Sequence, residues 1–219
     1  MQSFFYLFAT FLFFSILGWL MEVIISLIKF KRFVDRGFLL GPYCPIYGIG
    51  CICFIYIIGN FTNNLVLLFV INTIVGSIIE YLTSYILEKC FNARWWDYSK
   101  QPLNINGRIC IPFSFGFGFG GVMAQVVNPY IQNFFQSFPI LIFNIIIIII
   151  IIWFIIDCII SFNIINKLKL TTLEMYSDNT EDISEKIRVV LLEKSKQFKR
   201  VLQAFPNAYT SVNKNKKGK

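Results

Sequence analysis

Five apolar runs separated by short polar connections dominate the chain. They cover about residues 3–28, 41–59, 65–87, 109–127 and 138–162, the second with its apolar core from Pro45. Runs of this kind match the roughly 18–20 residues that an α-helix needs to cross a bilayer, so each is expected to span one. Clusters of Asn, Thr, Gly and Pro interrupt the pattern at residues 59–64 and 128–139 and mark breaks there. No basic segment precedes the first run and no small-residue cleavage site follows it, so it is expected to be a retained helix and not a signal peptide. The expected fold is all-α, a polytopic membrane helical bundle of five transmembrane helices over residues 1–165, with a basic tail at residues 166–219.

Charge orients this bundle. Lys29, Lys31, Arg32 and Arg36 follow the first run, and Lys89, Arg94, Lys100 and Arg108 follow the third. The second and fourth connections carry no basic residue, and every remaining Lys and Arg lies after the fifth run. Cytoplasmic loops of membrane proteins are enriched in Lys and Arg. The alternation predicts five helices, with the N-terminus outside and the C-terminus in the cytoplasm.

Within the tail, Ile183, Ile187, Leu191, Phe198, Val201 and Phe205 recur at roughly helical spacing behind a capping-box pattern, Asp182-x-x-Glu185. Lys186, Arg188, Lys194, Lys196, Lys199 and Arg200 make this segment basic. An amphipathic helix over about residues 181–205 is expected, lying either on anionic inner-leaflet lipid or on the bundle or a partner. Residues 207–219 read as a solvated, lysine-rich end.

Composition narrows the chemistry. The chain is 56% hydrophobic, has 25 Phe and contains no His. Histidine triads and histidine-ligated zinc are excluded. The cysteines Cys44, Cys51, Cys53, Cys90, Cys110 and Cys158 all fall outside the expected exterior loops, so free thiols are expected. Gly116-x-Gly118-x-x-Gly121 fits a dinucleotide fingerprint formally, but it sits in a Phe-rich membrane segment with no strand before it. Gly116-x3-Gly120 reads better as a small-residue packing face. No Walker A sequence is present, so any ATP-driven step requires a separate ATPase subunit. No cofactor, no metal and no nucleic acid is expected.

The chain also repeats itself. Gly18, Glu22, Ser26, Lys31, Phe33, Arg36 and Phe38 match Gly76, Glu80, Ser84, Lys89, Phe91, Arg94 and Trp96 at one constant offset. After a register slip, Gly41-x-x-Cys44 matches Gly107-x-x-Cys110. This pattern predicts an internal duplication of a helical hairpin, helices one and two against three and four, with both first helices running inward.

The duplication selects the candidate residues. Glu22 and Glu80 are carboxylates inside membrane helices, which cost a few kcal/mol and so require a partner or water. If the copies face each other, the two acids share a proton or hold a cation. The alternative is structural pairing with a loop arginine, Arg36, Arg94 or Arg108. Around Gly41, Pro42 and Pro45 prevent a regular helix, so the second segment is expected to start late or broken, with Tyr43 and Tyr47 supplying hydroxyls. Trp95, Trp96 and Tyr98 suit an interfacial aromatic belt, with Asp97 and Arg94 beside them and Asn104, Asn106 and Arg108 just before the fourth helix. Asp157 lies late in the fifth helix; it either snorkels, pairs with a loop arginine, or joins Glu22 and Glu80.

At RGFLLGPYCPIYG, EYLTSYILEK, ARWWDYS and NINGRIC the sequence resembles the ABC-transporter type IV membrane family of Gram-positive bacteria, over about residues 1–167. The resemblance implies a small multi-pass inner-membrane protein and supplies no catalytic or binding residues. The leading expectation is a transport permease or channel-like component, working with a separate ATPase or as a homo-oligomer. The alternatives are an enzyme or binder acting on lipid head-groups at the inner leaflet, lined by Tyr43, Asp97 and Arg108, and a non-transporting assembly or regulatory subunit.

Overall fold

The computed structural model describes the backbone of residues 2–31, 33, 35, 39–91, 93–94, 96–177 and 209–210, and the side chains of residues 3–28, 31, 33, 35, 39–91, 96–164 and 166. Among the described residues five helices follow in order: α1 (Gln2–Phe30), α2 (Pro45–Asn60), α3 (Leu65–Phe91), α4 (Ile111–Gln136) and α5 (Ile140–Ser177). Three stretches are long and apolar enough to cross a membrane: Ser3–Ile28, Leu65–Phe91 and Ile140–Ile164. The expected amphipathic helix over residues 181–205 lies outside the described residues.

Proline sets where the shorter helix begins. Cys44 is extended and caps α2, and Pro45 occupies the first turn, where a missing N–H costs nothing. Residues 41–44 form a non-helical approach, so α2 starts at Pro45 and not at residue 41. It is α-helical to Ile52, widens into a π turn over Cys53–Ile57 and tightens into a 3-10 turn over Ile58–Asn60. Cys110 caps α4 in the same extended conformation, with Pro112 in the first turn.

Two helix ends differ from the sequence expectation. The break expected at residues 128–139 shrinks to a short turn before Ile140, because α4 continues through Pro129 to Gln136. A proline inside a helix removes one backbone hydrogen bond and costs about 3 kcal/mol. Side-chain anchors beyond it hold the helix. Ile131 packs with Phe14, Ile55 and Ala124, and the Gln132 amide donates to Thr10 Oγ1 at 2.7 Å and to the Tyr56 hydroxyl at 3.1 Å. At the other end, α5 runs across the expected boundary at residue 165 as far as Ser177.

Lipid tails are as apolar as leucine, so helix association in a membrane rests on close packing and buried polar contacts. The closest packing lies within two pairs, α1 with α2 and α3 with α4. A Cβ at Gly48 would sit 2.2 Å from Ser15 Oγ and 2.5 Å from the Phe11 carbonyl oxygen. One at Gly118 would sit 2.3 Å from Thr73 Oγ1. Gly116 and Gly120, the glycines expected to pack, face open space; Gly118 and Gly121 make the contact with α3 instead. Helix α5 joins α1 through Ala9, Phe143 and Ile147.

Short strands close the α3–α4 connection. Strands β2 (Asn104–Ile105) and β3 (Ile109–Cys110) form an antiparallel hairpin whose turn holds Asn106 and Gly107 at positive φ. Strand β1 (Ala93–Arg94) pairs antiparallel with β4 (Tyr209–Thr210). Within the segment read as a solvated end, residues 209–210 thus pair with this connection.

Candidate functional site

Helix periodicity places the acids. On α3, Asn72, Gly76, Glu80 and Ser84 recur every fourth residue and are all buried, so they form one inward face. Glu80 is only 6% exposed. Its Oε1 accepts a hydrogen bond from the Tyr98 hydroxyl at 3.2 Å, while its Oε2 has no hydrogen-bond partner. On α1, Gly18, Glu22 and Ser26 repeat the same spacing. Glu22 Oε1 accepts from the Tyr47 hydroxyl at 2.6 Å.

Each tyrosine is held by packing. Tyr47 lies in the first turn of α2 with its ring over Gly18; a Cβ there would meet the ring at 2.3 Å. Tyr98 belongs to the α3–α4 connection. Its ring stacks on Phe113 with centroids 4.8 Å apart, and its backbone N–H donates to the Gly107 carbonyl at 2.8 Å. The Tyr98 phenol is pushed well above its ordinary pKa, first by burial, then by the Glu80 charge and hydrogen bond, and then by Glu22. It therefore remains a proton-bearing donor.

These two pairs form one cluster. The Glu22 carboxylate lies within electrostatic reach of both Glu80 and Tyr98, and Tyr47 lies within reach of Tyr98. Two carboxylates and two phenols, from α1, α2, α3 and the α3–α4 connection, thus converge. Among the described residues no three acidic or thiol groups gather as metal ligands.

The remaining candidates have other partners. Asp157 is buried on α5 and accepts hydrogen bonds from Gly41 N at 2.8 Å, Leu40 N at 3.0 Å, Ser161 Oγ at 3.0 Å and the Tyr43 hydroxyl. The physical reason is local. Pro42 and Pro45 keep this approach out of a helix, so its N–H groups need an acceptor. Asp157 supplies one from the fifth helix, in place of snorkelling or an arginine partner. Arg108 reaches Glu88 at 2.7 Å and Ser84 Oγ at 3.1 Å, and lies over the rings of Tyr81 and Tyr85. It braces the hairpin against α3 two turns along from Glu80. Asp97 accepts from the Ser99 N–H at 3.0 Å and fills the space beside Gly107. Tyr43, Asp97 and Arg108 are thus each taken up by different neighbours. Arg36 lies outside the described residues, as does the Arg94 side chain.

Several of these contacts had no counterpart in the sequence reading. Tyr98 read as an interfacial anchor; no local pattern links it to Glu80. Asn72 is fully buried with both amide atoms unpartnered, beside Gly121. The four-residue spacing from Asn72 to Ser84 was a usable signal. The Gln125 amide donates to the Phe54 carbonyl in the π turn of α2, and Thr10 receives Gln132. Amides at these positions gave no periodic signal.

Residues 9–162 of the chain match the family described as Putative ABC-transporter type IV. No curated protein and no solved structure matches the chain.

Proposed function

The chain belongs to the ABC-transporter type IV family, and from that premise we propose that it is the membrane component of a transport system, permease or channel-like, whose working site is the Glu22–Glu80 cluster. The family and the three long apolar helices make it a membrane protein associated with transport. The finer reading has five spans, an N-terminus outside and a basic C-terminal region in the cytoplasm, in the inner membrane. Energy comes from a separate ATPase.

One observation carries this reading: acids from two different helix pairs lie within electrostatic reach of one another while each takes a phenol hydrogen bond. A duplicated hairpin is supported by similar contacts at the matched glycines. Gly18 lies under the aromatic ring of Tyr47, and Gly76 under that of Phe117, one helical turn beyond Phe113, the position that matches Tyr47. Cysteines at matched positions cap α2 and α4, and each helix has a proline in its first turn, Pro45 and Pro112.

Complementation of a deletion strain tests the proposal. The Glu22→Gln, Glu80→Gln double variant is expected to reach the membrane at normal abundance yet fail to restore the wild-type phenotype. Full rescue by that variant would overturn the transport role of the two acids.

A further inference from the structure

The connection between α3 and α4 folds back along the helix it leaves. Helix α3 has 27 residues, about 40 Å at 1.5 Å each, whereas a hydrocarbon core is about 30 Å thick. Counted from Leu65, such a core ends about twenty residues along, near Tyr85. The chain leaves α3 at Phe91 and then returns toward that core. The Asn106 amide donates to the Tyr81 hydroxyl at 3.0 Å, and the Tyr98 hydroxyl donates to Glu80 at 3.2 Å. Tyr81 is one helical turn inside Tyr85, and helical side chains tilt toward the N-terminus, which here is deeper still. Backbone at such a depth has to satisfy its polar groups internally. Within the connection, the Tyr98 N–H donates to the Gly107 carbonyl at 2.8 Å, the Gln101 N–H to the Tyr98 carbonyl at 2.8 Å and the Arg108 N–H to the Ile105 carbonyl at 3.0 Å. The Gly107 N–H donates to Asn104 Oδ1 at 3.0 Å.

Polar groups turned inward leave apolar ones outside. Leu103 is 72% exposed and Ile105 56%. Leu103 has a φ of 51°, in the left-handed region that a leucine adopts only at a cost. Beside the hairpin, Tyr81 adjoins Ile78, Leu82 and Tyr85, an exposed stripe of α3 at three- and four-residue spacing. Such a stripe on a membrane-crossing helix faces lipid, and the hairpin continues it. Lys89, in the last turn of α3, and Lys100, in the connection, are exposed cations that suit an anionic membrane surface. Resting on the membrane reading above, and not on the role of the two acids, we propose that the α3–α4 connection is a lipid-inserted hairpin whose Leu103 and Ile105 seat among the acyl chains of the leaflet at this end of the bundle. On the orientation given above, that leaflet is the cytoplasmic one. A soluble protein partner fits less well, because the hairpin lies beside α3 and not beyond its end. Tyr98 belongs to the same connection, so the lipid contact also holds the hydrogen-bond donor of Glu80 in place.

Photo-crosslinking of the full chain in the membranes of the expressing cell tests this. The photoreactive residue p-benzoylphenylalanine replaces Leu103 or Ile105 in separate variants. Leu82, on the lipid-facing stripe, and Asn63, in the α2–α3 connection, are replaced in the same way as lipid and water references. All four positions are exposed, so the substitutions leave the packed core untouched. After irradiation, mass spectrometry identifies what is joined to each position. Phospholipid adduct at positions 103 and 105 is expected within about threefold of that at Leu82 and about tenfold above that at Asn63. Adduct to a protein in place of lipid would overturn the proposal and identify the hairpin as a docking site for that protein. Adduct no greater than at Asn63 would overturn it by placing the hairpin in water. Loss of lipid adduct at Leu82 as well would overturn the membrane reading of α3 together with the proposal. The crosslink reads lipid contact and not transport, so a negative result at positions 103 and 105 leaves the complementation result standing, and the reverse also holds.

Discussion

Glu22 takes its hydrogen bond from Tyr47, a residue of the helix that packs on α1, whereas Glu80 takes its bond from Tyr98, a residue of the connection between α3 and α4. The sequence counterpart of Tyr47 in the second helix pair is Phe113, which has the ring but no hydroxyl. Tyr98 stacks on that ring and supplies the missing phenol. The requirement is thus chemical and not positional. A carboxylate withdrawn from water needs a hydrogen-bond donor, worth about 1.5–3 kcal/mol for a charged acceptor, and here the chain delivers a phenol to each from non-equivalent elements. The connections differ in the same way. The approach to α2 is anchored remotely, by Asp157 on α5 and by Trp19 Nε1 donating to Asp35 at 2.8 Å. The approach to α4 is anchored locally, by Arg108 and the β2–β3 hairpin.

The strongest perturbation of this comparison is at the helix contacts. Gly48→Leu forces a side chain into Ser15 and the Phe11 backbone, and a loss of more than about 3 kcal/mol is expected. Gly116→Leu, where nothing lies within 4 Å, is expected to stay within about 0.5 kcal/mol of wild type. Thermal unfolding in mild detergent checks both. A similar loss in the two variants would mean that the packing faces have been assigned wrongly.

Next in size is Asp157→Asn. It removes the charge that holds Gly41, Leu40 and Tyr43, and about 2 kcal/mol of stability is expected to go with it. The effect should be confined to the first pair. Cys44 and Cys110 are both buried and cap matched helices, so thiol labelling of Cys44 should accelerate while that of Cys110 does not change. Equal acceleration at both would contradict the remote-versus-local distinction.

Smaller effects separate the two phenols. Tyr47→Phe breaks a 2.6 Å bond and Tyr98→Phe a 3.2 Å bond. Losses of about 1–2 kcal/mol and about 1 kcal/mol are expected from the same unfolding assay, with Tyr47→Phe the larger. The reverse order would show that Tyr98 is the principal donor.

The sequence exposed the features that depend on local pattern. Apolar runs announce the helices, proline and cysteine mark the starts of α2 and α4, and two glutamates stand out because their neighbours are apolar. It did not expose features that depend on contacts between distant segments. Asp157 meets Gly41 across more than half the chain, and Tyr98 meets Glu80 only because the connection folds back on α3. Helix α4 crosses Pro129 because Ile131 and Gln132 find partners on α1 and α2, a tertiary gain that turn chemistry at Asn128–Pro129 does not reveal.

Coupling between the acids is measured most directly by a double-mutant cycle on stability, run in alkaline, sodium-free buffer with Glu22→Gln, Glu80→Gln and the double variant. Each single change removes the same repulsion, so the second should gain less than it does alone. The expected interaction energy is about 0.5–3 kcal/mol, with the double variant less stabilised than the two single changes combined. Additivity within about 0.3 kcal/mol would show that Glu22 and Glu80 act independently, and a shared site between the helix pairs would then be ruled out.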